Sequence, residues 1–139
     1  FGVAAWHSKY VYNVERPENY IKRIIDPNWE PVLVNTINGV KGWTPAFPAY
    51  PSGHSTFGGG GGAILADIFG QNYEFTDLCH KDRTEFLGIP RTFNSFEDAG
   101  YENAWSRVLL GVHFRMDCTA GVTLGQQIAR RVINLPWKK

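Results

Sequence analysis

Three short motifs carry the side chains in this chain that have the chemistry to hold a tetrahedral oxyanion. They are Lys9 with Arg16-Pro17, then Pro51-Ser52-Gly53-His54, and then Ser106-Arg107 followed by His113 and Asp117. Together they supply a lysine, two arginines, a serine hydroxyl, a glycine amide and two histidines. Such an excess of cations and hydrogen-bond donors matches phosphate or a close analogue of phosphate.

The residue types suggest separate roles around such an anion. Arginine forks match paired oxygens, while a lysine acts as a point charge, so Lys9, Arg16 and Arg107 are candidates to neutralise the anion. Ser52 is a plausible helix N-cap. A helix N-terminus suits anions, so the Ser52 hydroxyl and the Gly53 amide are further candidate donors.

The two histidines complete the candidate chemistry. His54 has the properties of an acid–base group beside the bound anion. His113 can act at such a site if its imidazole is neutral and is held at one nitrogen. Asp117, four residues further on, is a possible orienting partner if that segment is helical.

Each of these residues also has an ordinary structural interpretation. The three cations fit a solvated surface, and Pro51-Ser52-Gly53 fits a plain turn with a cap. His113 lies between Val112 and Phe114, which also fits a packed core histidine. The convergence of all three motifs favours the anion site over these interpretations.

The order and spacing of the motifs resemble the family that joins vanadium-dependent haloperoxidases to type-2 phosphatidic acid phosphatases and bacterial acid phosphatases. The stretch from Pro48 to Gly59, together with Trp6 and Phe47, looks like the haloperoxidase branch. The resemblance implies an all-α helical bundle and a vanadate cofactor with His113 as the protein ligand to vanadium. It further implies cofactor contacts from Lys9, Arg16, Ser52, Gly53 and Arg107, catalytic roles for His54, Lys9 and His113, and a halide wall of Trp6 and Phe47.

The resemblance implies an oxidoreductase. Such an enzyme oxidises halide with hydrogen peroxide to a hypohalous acid equivalent, which halogenates a small organic acceptor. The first alternative is an acid phosphatase with a phosphohistidine intermediate at His113, and the second is a non-catalytic fragment that binds an oxyanion. The same resemblance implies a secreted or periplasmic protein. For Trp6 and Phe47, simple core packing is the alternative to a halide wall.

Composition sets limits on the class of protein. The chain has 139 residues, of which 43% are hydrophobic and 19% charged, with a net charge of +1. We therefore expect one helical-bundle domain over residues 1–139, as part of a longer protein, with no general attraction to nucleic acid. No apolar run approaches the roughly 18 residues of a membrane span. Other segments of the same protein or further copies of the chain are possible partners.

Hydrophobic periodicity and capping signals predict helices over residues 3–16, 17–25, 52–69, 95–110 and 115–134. Lys9 and Arg16 would then share one helix face. Residues 70–94 are predicted to be irregular, with a short helix near residues 77–86, and residues 32–34 to be extended. Cys79 and Cys118 are predicted to be buried thiols, with a disulfide as the alternative.

Two glycine features matter for the site. Gly58 to Gly62 are either a flexible linker or a helix start that lets another backbone come close, and the flanking sequence favours the helix. On one unbroken helix Arg107 and His113 would be separated by about 120° and about 9 Å. A break near Gly111 is therefore required if both residues are to face one anion.

Overall fold

The computed structural model describes residues 1–84 and 87–137. It is mostly helical with one two-stranded sheet, which confirms the all-α bundle. The elements are α1 (Gly2–Tyr12), α2 (Pro17–Ile24), α3 (Gly53–Phe69), β1 (Phe75–Asp77), β2 (Arg91–Phe93), α4 (Phe96–Leu109) and α5 (Arg115–Ile133). Helix α3 packs against both α4 and α5, and α1 packs against α3.

The first predicted helix is too long by four residues. It ends at Asn13, which adopts the left-handed conformation (φ 48°) and donates its backbone N–H to the Lys9 carbonyl. Asparagine tolerates this conformation, and the residue before a proline disfavours the helical region. Arg16 is accordingly extended and forms the N-cap of α2. Lys9 and Arg16 therefore belong to different elements, and the prediction that they share one helix face is wrong.

The starts of α3 and α4 follow the predicted caps. The Ser52 hydroxyl accepts a hydrogen bond from Ser55 N (3.3 Å), and the Ser95 hydroxyl accepts one from Asp98 N (3.0 Å). Gly111 has a φ of 76° in the connection between α4 and α5. A side chain there would approach the Trp29 ring to 2.8 Å. The predicted helix break at Gly111 is therefore confirmed.

Glycines bring the backbones of α3, α4 and α5 into direct contact. A Cβ atom at Gly58 would lie 2.8 Å from the Gly100 carbonyl, and one at Gly59 would lie 2.6 Å from the Val122 carbonyl. A Cβ at Gly121 would lie 2.5 Å from the Ser52 carbonyl. The glycine run is thus the central part of a helix, and the linker interpretation is wrong. These contacts, which we call the glycine seams, fix α3 against its two neighbours.

A short hairpin occupies part of the segment predicted to be irregular. Strands β1 and β2 are antiparallel, with Phe75 opposite Phe93, and the Phe75 ring stacks on Phe96 at 4.8 Å. Three-residue strands are too short to show a clear alternation in the sequence. The helix predicted near residues 77–86 is wrong for residues 78–84, which are turns and irregular chain, while residues 85 and 86 lie outside the described residues.

Three smaller points complete the fold. Val34 pairs with Lys41 in an isolated bridge, in keeping with the predicted extended piece. Both cysteines are free, and Cys79 is exposed while Cys118 is buried, so the prediction of a second buried thiol is wrong. Within residues 1–84 and 87–137, every helix is too short or too polar to cross a bilayer.

Candidate active site

One cavity of about 370 Å³ gathers most of the predicted site residues. It lies beside the N-terminus of α3 and is bounded by α1, the start of α2, the last turn of α4 and the α4–α5 connection. Its lining comprises Gly2, Ala5, Trp6, Lys9, Arg16, Pro45, Phe47, Gly53, His54, Phe57, Asn103, Arg107 and His113. All three sequence motifs thus meet at a single place.

Lys9 is held by the connection that leads into α3. The side chain is only 2% exposed, and its Nζ atom donates hydrogen bonds to the carbonyls of Pro48 (2.9 Å) and Ala49 (2.8 Å). Burial is the main cause that lowers the pKa of Lys9 to about 8; the nearby Arg16 charge contributes, and the Asp117 charge partly offsets both. Lys9 is therefore a buried cation that remains mostly protonated at neutral pH.

Arg16 connects three parts of the site. Its Nε donates to the Phe47 carbonyl (2.9 Å), and its Nη1 donates to the Val112 carbonyl (2.7 Å) and lies 3.1 Å from His113 Nε2. Its Nη2 is buried and has no hydrogen-bond partner. Burial lowers the pKa of Arg16 to about 10, partly offset by the Asp117 charge, so the guanidinium stays charged at neutral pH.

His113 is fixed by Asp117 at the start of α5. The Nδ1 atom of His113 lies 3.1 Å from Asp117 Oδ2, which also accepts the Phe114 backbone N–H at 3.0 Å. Because a carboxylate only accepts, Nδ1 carries the hydrogen and Nε2 keeps its lone pair. Burial is the main cause that lowers the pKa of His113 to about 4, and the Arg16 charge adds to it. The imidazole is thus neutral at neutral pH, as a metal ligand must be.

Arg107 approaches the cavity from the last turn of α4. Its Nε is buried without a hydrogen-bond partner, and burial lowers its pKa. Beyond it the chain reverses at Gly111, and Val112 N donates to the Arg107 carbonyl (3.2 Å). This reversal brings Arg107 and His113 to the same cavity, as the spacing argument requires.

In the segment Ser52-Gly53-His54, Ser52 caps helix α3, whereas Gly53 and His54 line the cavity. Ser52 is fully buried, donates its N–H to the Asp117 carbonyl (2.9 Å), and accepts a hydrogen bond from the Ser55 hydroxyl (2.8 Å). Neither these bonds nor the helix cap uses its hydroxyl hydrogen. A Cβ at Gly53 would meet no atom within 4 Å, so the space beside this glycine is open to a ligand.

His54 lies at the mouth of the cavity, with much of its surface exposed to solvent. Its inner side faces the cationic part of the site. Partial burial lowers the pKa of His54, and the positive charges of Arg107, Lys9 and Arg16 add to this effect. A low pKa favours the neutral imidazole, which has one nitrogen free to accept a proton.

Trp6 and Phe47 form an aromatic wall on the α1 side. Their ring centroids lie 4.7 Å apart in an edge-to-face arrangement, and the Phe47 ring also faces the Arg16 guanidinium at 4.9 Å. Trp6 is 45% exposed, so it is not a core residue. Both residues line the cavity, and their role as a halide wall stays a prediction.

Five cavity residues were not predicted from the sequence: Gly2, Ala5, Pro45, Phe57 and Asn103. Asn103 had a signal, because it lies four residues before Arg107 and therefore on the same face of α4. Phe57 likewise lies one turn beyond Gly53. Pro45 had no comparable signal, since it lies in a long connection without regular periodicity.

The donor set fits an oxyanion better than a metal cation. In residues 1–84 and 87–137, no three His, Cys, Asp or Glu side chains form a group able to hold a metal ion. The cavity instead offers cations, the buried and unpartnered N–H groups of Arg16 and Arg107, and one neutral histidine nitrogen. These groups fit vanadate, whose oxygens take hydrogen bonds and whose metal takes a nitrogen ligand.

Comparison with known proteins decides the family. Residues 1–137 match the family model of the VCPO second helical-bundle domain. The chain belongs to the vanadium haloperoxidase family. The vanadium-dependent bromoperoxidase of Ascophyllum nodosum is 29% identical over 100 residues, covering 66% of this chain and 18% of that protein. The vanadium chloroperoxidase of Curvularia inaequalis is 29% identical, covering 86% of this chain and 26% of that protein.

Solved structures of haloperoxidases show the same fold. A structure described as the first bacterial vanadium-dependent iodoperoxidase is 36% identical, with a TM-score of 0.79, and the match covers 95% of this chain and 29% of that one. A holo-type bacterial vanadium-dependent chloroperoxidase has a TM-score of 0.67 at 20% identity, covers 92% of this chain and 31% of that one, and supports the fold alone. The chain spans less than a third of the length of each of these relatives.

Proposed function

We propose that this chain carries the vanadate site of a haloperoxidase, which oxidises halide with hydrogen peroxide and halogenates a small organic acceptor. The observation that carries the proposal is the convergence of Lys9, Arg16, Arg107 and His113 on one cavity, with two buried guanidinium N–H groups unpartnered. Family membership supports the same chemistry.

His113 would bind the metal through Nε2, because Asp117 engages Nδ1. The Nε2 lone pair accepts the Arg16 Nη1 N–H at 3.1 Å, so the metal would take the place of this hydrogen bond. Arg16 and Arg107 would hold the vanadate oxygens through the N–H groups that lack partners in the protein. Gly53 lines the cavity at the N-terminus of α3, where its backbone amide would donate to the same anion. Ser52, which is buried directly before it, would donate its hydroxyl hydrogen to that anion. When bound, vanadate would supply a Lewis acid that activates peroxide.

His54 and Lys9 would manage protons and charge. A neutral His54 at the cavity mouth can accept a proton from an incoming peroxide and return it to a leaving oxygen. Lys9 places a desolvated positive charge beside the same oxygens, where a low dielectric strengthens its effect. Its hydrogen bonds to the Pro48 and Ala49 carbonyls would hold it in that position.

The aromatic wall of Trp6 and Phe47 would bound the halide position. Its apolar surface removes water from the anion, which makes halide a better nucleophile. Relatives named for bromide, chloride and iodide all resemble this chain, so their names do not select a halide for it. We expect bromide and iodide to be oxidised. We further propose a secreted or periplasmic protein in which residues 1–139 form one domain beside other segments or copies.

A paired assay tests the proposal. Bromination of monochlorodimedone would be followed with peroxide and bromide, with and without orthovanadate, beside hydrolysis of p-nitrophenyl phosphate. Bromination that depends on vanadate is the expected result. Phosphate-ester hydrolysis inhibited by vanadate, without bromination, would assign the site to phosphatase chemistry with His113 as the nucleophile. Inactivity in both assays, with vanadate still bound, would indicate a non-catalytic domain that binds an oxyanion. That result would refute the proposed enzymatic activity.

A further inference from the structure

Asn103 links the helix that carries Arg107 to the segment that carries His54. Its Nδ2 atom donates a hydrogen bond to the His54 backbone carbonyl at 2.8 Å, across a sequence separation of 49 residues. Asn103 also lines the cavity, one helical turn before Arg107. The contact therefore joins α4 directly to the first turn of α3, beside the anion site.

The surrounding backbone is shaped to admit this amide. A Cβ atom at Gly58 would lie 2.9 Å from Asn103 Nδ2, so any larger residue at position 58 would displace the side chain. The Ser106 hydroxyl donates to the Asn103 carbonyl at 2.7 Å and braces the same turn of α4. The contact is exposed to solvent, but its neighbours on α3 and α4 fix the position of the Asn103 amide.

The chemistry of the contact fixes the orientation of the amide. The His54 carbonyl accepts only, so Asn103 must present its NH₂ group to it, and its Oδ1 atom must point elsewhere. An aspartate or leucine at this position has no donor for this carbonyl. The site consequently depends on an amide and not on side-chain volume alone.

We propose that Asn103 is a positioning residue for His54, holding the backbone of the candidate acid–base group at a fixed distance from Arg107. The inference deepens the proposed function and rests on it. Asn103 acts through His54 and not through the anion, because the vanadate contacts are assigned to other residues. Its loss should therefore slow turnover while leaving vanadate affinity nearly unchanged.

A double-mutant cycle separates this role from a general structural one. Asn103→Leu should lower kcat for bromination roughly tenfold, a fraction of the 10²–10⁴-fold that a general acid–base group contributes. The vanadate Kd should change by less than about threefold, since the cofactor ligands are untouched. In a His54→Ala background, Asn103→Leu should have almost no further effect on kcat. Equal effects of Asn103→Leu in both backgrounds would overturn the proposal.

A control and a second variant guard against misfolding. Gln126→Met removes an amide of similar kind from α5, where Gln126 meets Tyr101 at 3.5 Å and does not line the cavity, so kcat should be unchanged. Asn103→Ala repeats the test with a smaller side chain if the leucine variant is unstable. A fall in kcat for Gln126→Met as large as that for Asn103→Leu would show a loss of packing and refute the positioning role.

A spectroscopic measurement is independent of activity. In ¹H–¹³C spectra of the histidine rings, Asn103→Leu should shift or broaden the His54 signals, while the His113 signals stay in place because Asp117 holds that ring. Unchanged His54 signals would refute the inference. A wild-type protein that does not brominate would defeat the proposed function, and the ring signals would still decide whether Asn103 holds His54.

Discussion

Replacing Asp117 tests how the site orients its central histidine. The carboxylate is fully buried, and both donors that reach it, His113 Nδ1 and Phe114 N, converge on Oδ2. The other oxygen, Oδ1, is buried without a partner. An asparagine can therefore keep both hydrogen bonds through its single carbonyl oxygen, whereas an alanine loses both.

The expected magnitudes follow from this difference. Asp117→Ala removes a helix cap worth about 1 kcal/mol and leaves the His113 N–H unsatisfied at a cost of about 1–3 kcal/mol, so the free energy of unfolding should fall by about 2–4 kcal/mol. Loss of the orienting partner of a ligating histidine typically lowers metal affinity about 10–100-fold. Asp117→Asn should cost about 1–3 kcal/mol, because the charge assistance is lost and its NH₂ group takes the buried position of Oδ1, where it has no acceptor.

Two measurements on the same variants check these values. Urea unfolding of the vanadate-free protein gives the stability, and calorimetric titration with orthovanadate gives the affinity. The affinity should fall in the order wild type, Asp117→Asn, Asp117→Ala. Vanadate binding by Asp117→Ala as tight as that of the wild type would refute the orienting role.

The remaining predictions concern packing, pH and the two histidines. Gly59→Ala should lower the unfolding midpoint in urea, since its Cβ would lie 2.6 Å from the Val122 carbonyl. At Gly61 a Cβ would meet no atom within 4 Å, so Gly61→Ala should raise stability by up to about 1 kcal/mol. A Gly59→Ala variant as stable as the wild type would contradict the packing. The pKa of His113 is lowered from 6.5 to about 4 in the folded chain. The stability contributed by His113 is therefore fully present above about pH 6.5. It is lost as pH falls towards 4, by up to about 1.4 kcal/mol per pH unit, because the unfolded chain binds the extra proton. The free energy of unfolding of His113→Ala, measured in urea across this range, should depend less steeply on pH. In kinetic and calorimetric assays, His54→Ala should cut turnover more than vanadate affinity, and His113→Ala should abolish vanadate binding; stoichiometric vanadium on the latter would exclude His113 as the ligand.

The motifs and helix starts were predictable because each depends on a few residues that are close together in the sequence. Ser52 and Ser95 are caps with a direct signal, and Gly111 was required by the geometry of Arg107 and His113. The family followed from motif spacing, which survives large changes elsewhere in a chain. The role of each site residue stays a prediction, although the structure brings nearly all of them to one cavity.

Features that depend on tertiary contacts were not predictable. Asn13 ends α1 in the left-handed conformation. An asparagine is not a definite stop signal for a helix, so the sequence favoured a longer helix. The hairpin around Phe75 is stabilised by ring stacking on Phe96, which periodicity over three residues does not reveal. The sequence predicted Ser52 to be both a helix cap and an anion donor, but its complete burial was visible only in three dimensions.

The glycine seams also influence how this site can diversify. Where helices touch through peptide groups, as at Gly58 and Gly59, no rotamers exist with which the contact can be remodelled. A substitution at these glycines therefore forces the helix backbones apart and cannot be accommodated by small side-chain adjustments. Under the proposed function, variation in specificity would fall on residues such as Trp6 and Phe47, on α1 and in the connection before α3, where substitution leaves the seams intact. Different halide or acceptor preferences would then be compatible with one anion-binding framework.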